Sequence, residues 1–114
     1  MTKSVLSPQA EEIRRLNDEL RQTHKNGKVV LSAGIAALSE PDIAAVIAAV
    51  AHFDDFTEEN DPHGEHDCAL FDWQGHKIMF KIDYYDPSLQ YHSDNPADLK
   101  KTTRVMTVMF ASEY

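Results

Sequence analysis

A fourteen-residue acidic stretch, Asp54–Asp67, divides the chain into two segments with different hydrophobic patterns. It contains seven carboxylates and two histidines, together with Pro62 and Gly64. Because this composition suits neither a packed helix nor a buried strand, the stretch predicts a loop between a helical segment and a strand-rich segment. A loop of about twelve residues is at the upper end for compact domains, where such loops tend to be functional or disordered.

The segment before this loop begins with the pattern of an amphipathic helix. Ser7 and Pro8 are typical of an N-cap and a first helical position. Ile13, Leu16 and Leu20 follow three and four residues apart, which predicts one narrow apolar stripe. The opposite face is predicted to be solvated and consists of Arg14, Arg15, Asp18, Glu19, Arg21 and Gln22.

A short strand and a second helix are predicted next. Asn26-Gly27 indicates the end of the first helix, Lys28–Ser32 is rich in β-formers, and Ile35–Leu38 is predicted as a turn packed on the core. Ser39 is a good N-cap for the second helix. Its apolar residues have helical spacing: Ile43, Val46, Ile47, Val50 and Phe53.

The segment after the loop has the pattern of antiparallel strands. Cys68–Trp73 and Lys77–Tyr84 flank Gln74-Gly75-His76, which predicts a hairpin. The second of these strands alternates apolar and polar residues, as expected for a sheet with one buried face. Arg104–Ala111 is apolar on both faces and is predicted to lie inside the sheet. The polar stretch before it is predicted as a long loop with a short helical turn at Pro96–Lys100.

These elements predict an α+β fold, with two helices packed on one face of a mainly antiparallel sheet of about four strands. The predicted order is α-β-α-β-β-β. A length of 114 residues predicts a single domain over residues 1–114, with residues 1–6 as a flexible tail.

The composition predicts a cytoplasmic protein. The first residues lack the apolar segment of a signal peptide, and no apolar run is long enough to span a bilayer. The single cysteine, Cys68, cannot form an internal disulfide.

The charge distribution favours a basic protein partner. The net charge is −8, and ten acidic residues lie between Lys28 and Lys77 with no Lys or Arg among them. Such a negative field repels nucleic acid and anionic membranes, so we predict no direct binding to either, and it attracts basic surfaces. The alternative is that the acidic residues only keep a small protein soluble.

Four residues near the end of the loop have the chemistry of metal ligands: His63, Glu65, His66 and Asp67. Their spacing matches no known signature, and an EF-hand alignment fails because Leu70 stands where a glutamate is required. The other interpretation is that His66 and Asp67 bond the loop backbone and determine its shape. We therefore predict no cofactor.

Catalysis is a second interpretation of the same region. Glu65, Asp67, Asp83 and Asp86 would form an acid–base site if the loop folds over the end of the second hairpin strand. His66 and Cys68 would share one face of a strand, but an acidic neighbourhood raises the pKa of a thiol and disfavours a reactive cysteine.

The leading hypothesis is a non-enzymatic binding module, with the enzyme that uses Glu65, His66, Asp67 and Asp83 as the alternative. Because Tyr84 and Tyr85 must point to opposite faces, one is predicted to be core and the other to be an exposed anchor for a protein partner. We expect a monomer or a homodimer. The predicted binding residues are Asp61, His63, Glu65, His66, Asp67, Asp83, Tyr85 and Asp86.

Several segments form a distinctive set: Leu16-Asn17-Asp18-x-Leu20-Arg21, the acidic stretch with Gly64-Glu65-His66-Asp67, Lys81-Ile82-Asp83-Tyr84-Tyr85-Asp86, Asp94-x-Pro96-Ala97-Asp98, Thr103-Arg104-Val105-x-Thr107-x-Met109 and Glu113-Tyr114. With them the chain resembles the DUF3768 family, small bacterial proteins of unknown function that are often carried by plasmids or other mobile elements. The resemblance covers nearly the whole chain from about Ile13. It implies a bacterial, cytoplasmic accessory protein and assigns no catalytic or ligand residue.

Overall fold

The computed structural model describes residues 6–114, in which three helices and a four-stranded sheet form two layers. The helices are α1 (Pro8–Thr23), α2 (Ala33–Ala36) and α3 (Glu40–His52), and a 3₁₀ turn covers Ala111–Glu113. The strands are β1 (Lys28–Leu31), β2 (Cys68–Trp73), β3 (His76–Tyr85) and β4 (Thr103–Phe110). The tail predicted at residues 1–6 lies, apart from Leu6, outside the described residues.

The sheet has the order β1-β4-β3-β2 and is mixed. β2 pairs with β3 and β3 with β4 in antiparallel orientation, whereas β1 lies parallel to β4. The α+β class and the mainly antiparallel sheet are therefore confirmed, with one parallel pair at the β1 edge. β4 lies between two strands, as its apolar character on both faces predicts.

One face of the sheet carries the helices and the core. Leu20 of α1 and Val46 and Val50 of α3 pack against a buried row that includes Phe80 of β3 and Val108 of β4. Strand alternation puts Tyr84 on this helix-covered face and Tyr85 on the opposite, open face. The β2–β3 hairpin turns at Gln74 and Gly75, and both have positive φ, as a two-residue hairpin loop requires.

Several local predictions are wrong in detail. α1 ends at Thr23, with His24 in the left-handed conformation, rather than at Asn26-Gly27. The residues near Ile35 form the short helix α2, which Ser32 caps. The segment Pro96–Lys100 consists of turns, not of a helical turn. No helix among residues 6–114 is long and apolar enough to cross a membrane.

Candidate functional site

A buried polar network joins α1, the acidic loop and the sheet. The side-chain amide of Asn17 donates to the Glu65 carbonyl at 3.0 Å and to the Tyr84 hydroxyl at 2.8 Å. The Tyr84 hydroxyl donates in turn to the Glu65 carboxylate at 2.7 Å. Arg104 donates from Nε to Asn17 at 2.9 Å, and its guanidinium lies 5.2 Å from the centre of the Tyr84 ring. Four segments distant in sequence are thus tied together where the loop enters β2.

Burial determines the protonation of this network. Desolvation, together with the bond to Glu65, raises the pKa of Tyr84 well above its ordinary value, so the phenol stays neutral. Burial lowers the pKa of Arg104, but arginine has so high an ordinary pKa that it remains charged. Glu65 therefore accepts a hydrogen bond from a neutral phenol and is not an exposed acid.

A second cluster holds the start and the end of the acidic loop. Arg21 is 2% exposed, and its guanidinium donates to the carbonyls of Val50 and Phe53, each at 2.8 Å, where α3 ends. It also pairs with Asp18 at 2.9 Å. The His66 ring stacks on Phe56 with their centres 3.8 Å apart.

His66 fixes the end of the acidic loop between two carboxylates. Its Nδ1 lies 2.9 Å from Asp18, and its backbone N–H donates to Asp61 at 3.2 Å. The Asp61 carboxylate is nearly buried, so it closes the loop on itself rather than facing solvent. The four acids nearer the start of the loop remain exposed: Asp54, Asp55, Glu58 and Glu59.

A pocket forms along the edge of β3 just beyond the start of β2. Two segments bond to this edge: the Asp67 carbonyl accepts from the Ile82 N–H at 2.7 Å, and the Ser93 N–H donates to the Tyr84 carbonyl at 2.9 Å. The cavity between them has a volume of about 340 Å³. We call it the acidic pocket, and it is lined by Asp67, Ile82, Asp83, Tyr84, Tyr85, Gln90, Tyr91 and His92.

Asp67 is the distinctive group of the acidic pocket. Desolvation raises the pKa of its carboxyl above the ordinary value, and the nearby carboxylates Glu65 and Asp61 raise it further. Among residues 6–114 no Lys or Arg forms an ion pair with Asp67, whereas Asp83 is paired with Lys81. The pocket therefore holds a carboxylate that gains stability from an added cation.

The structure divides the eight predicted binding residues among several places. Asp67, Asp83 and Tyr85 meet in the acidic pocket. Asp61 and His66 line a separate cavity of about 590 Å³ on the helix side. Glu65 belongs to the buried network, and His63 is exposed in the loop. Asp86 accepts from Ser88 and from the backbone of Gln90 and Tyr91, which lowers its pKa, so it shapes the turn beside the pocket.

The metal interpretation and the enzyme interpretation each depend on several side chains that converge. Of the four carboxylates of the enzyme interpretation, Asp67 and Asp83 meet in the acidic pocket, whereas Glu65 lies in the buried network and Asp86 in the turn beside the pocket. Among the described residues, no three His, Cys, Asp or Glu side chains are grouped to hold a metal ion. His66 lies on the helix side of the loop, whereas Cys68 begins β2 opposite Lys81 on the open face, so the two do not share a face. Burial and Asp67 raise the pKa of the Cys68 thiol, which keeps it protonated.

Several important residues were absent from the predicted set. Asn17 and Arg21 were assigned to no site, and Arg21 was predicted to be solvated, yet both are buried. A signal existed, since they continue the i, i+4 row that begins at Ile13. Arg104 lies on the buried face of β4, which it shares with Met106 and Val108 because every second residue of a strand points to the same side. Gln90 and His92 lie in an irregular segment without periodicity, so no sequence signal marks them.

Removing the charge of Asp67 is expected to stabilise the fold. Because the pKa of the Asp67 carboxyl is raised in the folded state, its ionised form opposes folding at neutral pH. This penalty vanishes when the pH falls below the pKa that the carboxyl has in the unfolded chain. Asp67→Asn should therefore unfold at a higher temperature than the parent at pH 7 and lose this advantage near about pH 3. Thermal melts at both pH values, with exposed Asp72→Asn as control, check this. A lower melting temperature for Asp67→Asn at pH 7 would contradict it.

Comparison with known proteins identifies a family without a known activity. The model of a family described as "Protein of unknown function (DUF3768)" matches residues 31–113, so the resemblance seen in the sequence is confirmed there. The match begins after α1, and the α1 segment with Asn17 and Arg21 lies outside it. No curated protein and no solved structure matches the chain.

Proposed function

We propose that this chain, which belongs to the DUF3768 family, is a non-enzymatic module that binds a basic surface of a partner protein. The observation that carries the proposal is the half-buried carboxylate of Asp67 in a pocket where no Lys or Arg of residues 6–114 forms an ion pair with it. A lysine or arginine side chain of the partner would supply the missing charge.

The shape and chemistry of the acidic pocket suit one such side chain. Its volume of about 340 Å³ is at the low end for ligand sites, too small for an extended molecule but sufficient for a side chain. Tyr85 and Tyr91 at its walls can contact the aliphatic part of a lysine or arginine and add cation–π attraction. The carboxylates of Asp67 and Asp83 then accept hydrogen bonds from the charged end.

The exposed acids of the loop contribute at longer range. Asp54, Asp55, Glu58 and Glu59 form no ion pair with any Lys or Arg of residues 6–114. The loop that carries them is ordered by Phe56 and by hydrogen bonds between Asn60 and the backbone of Asp55 and Thr57. A fixed negative field of this kind accelerates encounter with a basic partner and sets the salt dependence of binding.

The concrete form of the proposal is a cytoplasmic modulator that occupies the basic groove of a nucleic-acid-binding protein. Such grooves present rows of lysine and arginine that normally face phosphates. With a net charge of −8, the chain can replace the negative charge of the phosphates in such a groove. The same charge makes it unsuited to bind nucleic acid itself. An accessory protein of a mobile element that inhibits a host defence system would act in this way.

Peptide binding tests the proposal. The probe is a blocked nine-residue peptide of alternating arginine and alanine, and the control is the same peptide with citrulline in place of arginine. We expect the arginine peptide, and not the citrulline peptide, to shift the NMR signals of the backbone amides near Asp67, Tyr85 and His92. Affinity should fall at least about tenfold between about 50 and 500 mM NaCl because screening removes the attraction.

Two variants locate the binding. Asp67→Asn is expected to lower the affinity for the arginine peptide about tenfold, since it removes the charge that the peptide neutralises. Asp72→Asn removes an exposed charge that already pairs with Lys77 at 2.8 Å, and it should leave the affinity within about twofold of the parent. Equal binding of the citrulline peptide, or an affinity independent of salt, would refute the proposal.

A further inference from the structure

β2 is an edge strand whose free side has a determinable hydrogen-bonding pattern. The Ile82 N–H donates to the Asp67 carbonyl, so Asp67 and Ile82 form a hydrogen-bonded pair of the β2–β3 ladder. In an antiparallel ladder such pairs alternate along the strand, and Ala69 and Phe71 therefore also bond to β3. Cys68, Leu70 and Asp72 must then direct their N–H and C=O groups away from β3, toward the open edge.

The open edge has the properties of a strand-pairing site. The N–H and C=O groups of Cys68, Leu70 and Asp72 that face the open edge form no hydrogen bond with any backbone group of residues 6–114. Edge strands that avoid pairing usually carry lysine, proline or a bulge, and β2 has none of these. Leu70 at its centre is 53% exposed, and Asp72 is its one charged residue.

We propose that a second copy of this chain pairs its β2 with this edge in antiparallel orientation, so that two four-stranded sheets become one of eight strands. The proposal is independent of the acidic pocket. A twofold axis makes the interaction self-complementary, because the same strand supplies both partners.

The outward groups restrict the register. Only Cys68, Leu70 and Asp72 can form hydrogen-bonded pairs across the axis. Placing Leu70 opposite Leu70 of the second copy pairs Cys68 with Asp72 on both sides, so all three outward residues are used. A shift by two residues loses part of this ladder. A shift that puts the two Asp72 side chains opposite each other brings like charges together, which is unfavourable.

Side chains on both faces are complementary in this register. On the open face Leu70 lies beside Met79 of β3, so the axis joins two apolar rows. On the helix-covered face Phe71 comes opposite Ala69 of the second copy, which pairs a large side chain with a small one. Asp72 comes opposite Cys68, whose neighbour on β3 is Lys81, so the negative charge approaches a positive one.

Engineered cysteines test the register. Asp72→Cys with the native Cys68 present is expected to form a disulfide-linked dimer under mild oxidation, because hydrogen-bonded partners have Cα atoms about 5.5 Å apart. The same substitution combined with Cys68→Ser should not crosslink, since the two substituted positions are then about 14 Å apart. Leu70→Cys with Cys68→Ser should crosslink across the axis. Crosslinking of Asp72→Cys in the Cys68→Ser background would overturn this register.

Sedimentation tests the dimer without crosslinks. The parent is expected to shift from monomer to dimer between about 5 and 500 µM, and the dimer should strengthen with added salt because each copy carries net negative charge. Leu70→Pro should remain folded and monomeric, since its N–H is not used within the sheet. Phe71→Pro breaks the internal ladder and serves as the contrasting, destabilised variant. A parent that stays monomeric at about 500 µM in high salt would overturn the proposal.

Discussion

Replacing Arg21 with alanine is expected to lower the free energy of unfolding by about 4 kcal/mol. The guanidinium is the partner of two carbonyls at the end of α3, and it lies 5.2 Å and 5.6 Å from the ring centres of Phe56 and Phe80. Its removal leaves buried acceptors unpaired and opens a cavity between α1 and the acidic loop. Chemical denaturation measures the loss.

Arg15 provides the matched control on the same helix. It is exposed and pairs with Glu12 on the surface, so Arg15→Ala should destabilise the fold far less than Arg21→Ala. Arg21→Lys should recover little of the loss, because an ammonium group cannot reproduce the planar contacts of a guanidinium. If Arg21→Ala were no more destabilising than Arg15→Ala, Arg21 would not hold the helices and the loop together.

Asn17→Ala is expected to cost about 3 kcal/mol. Asn17 is fully buried and makes hydrogen bonds to Glu65, Tyr84 and Arg104, so alanine leaves a charged guanidinium and a phenol without their shared partner. Denaturant unfolding checks the value. The backbone amides near Glu65 should exchange their hydrogens faster, because Asn17 holds this segment of the loop by donating to the Glu65 carbonyl.

Gln22→Ala is the control for Asn17→Ala, since Gln22 is exposed on the same helix. We expect its effect to lie within about 0.5 kcal/mol of zero. The destabilisation caused by Tyr84→Phe should lie between those of Asn17→Ala and Gln22→Ala, because Tyr84→Phe removes one hydroxyl from the network and keeps the ring beneath Arg104. An Asn17→Ala protein as stable as the Gln22→Ala protein would show that the network does not stabilise the fold.

The parts of the fold that depend on local periodicity were predictable. The spacing of Ile13, Leu16 and Leu20 predicts the buried side of α1, and all three are buried. Gly75 after Gln74 predicts the hairpin turn, and the alternation from Ile78 onward predicts which face of β3 is covered. These patterns need no knowledge of distant residues, because each repeats within one element.

The parts that depend on distant partners were not predictable from the same patterns. Arg21 is buried because main-chain carbonyls of α3, about thirty residues away, accept its protons. A carbonyl has no sequence signal, so the residue looked like part of a solvated face. The parallel pairing of β1 with β4 likewise joins residues 28–31 to residues 105–108, and short strands do not specify such a distant partner.

The candidate site shows the same division. The sequence directed attention to the place where Glu65–Asp67 would fold over Ile82–Tyr84, and strand alternation splits that region between two faces of the sheet. Glu65 became part of a buried network, and Asp67 became part of the acidic pocket. The wall formed by Gln90, Tyr91 and His92 depends on the tertiary return of an irregular loop, which composition alone does not indicate.

The most direct test of the binding proposal is the pKa of the Asp67 carboxyl, measured by carbon-detected NMR titration with and without saturating arginine peptide. In the free protein we expect a pKa above the ordinary value for aspartate, because the group is desolvated beside other carboxylates. Binding of a guanidinium should lower that pKa, since a neighbouring cation favours the charged form. A peptide that saturates the protein and leaves the pKa of Asp67 unchanged would contradict binding at the acidic pocket.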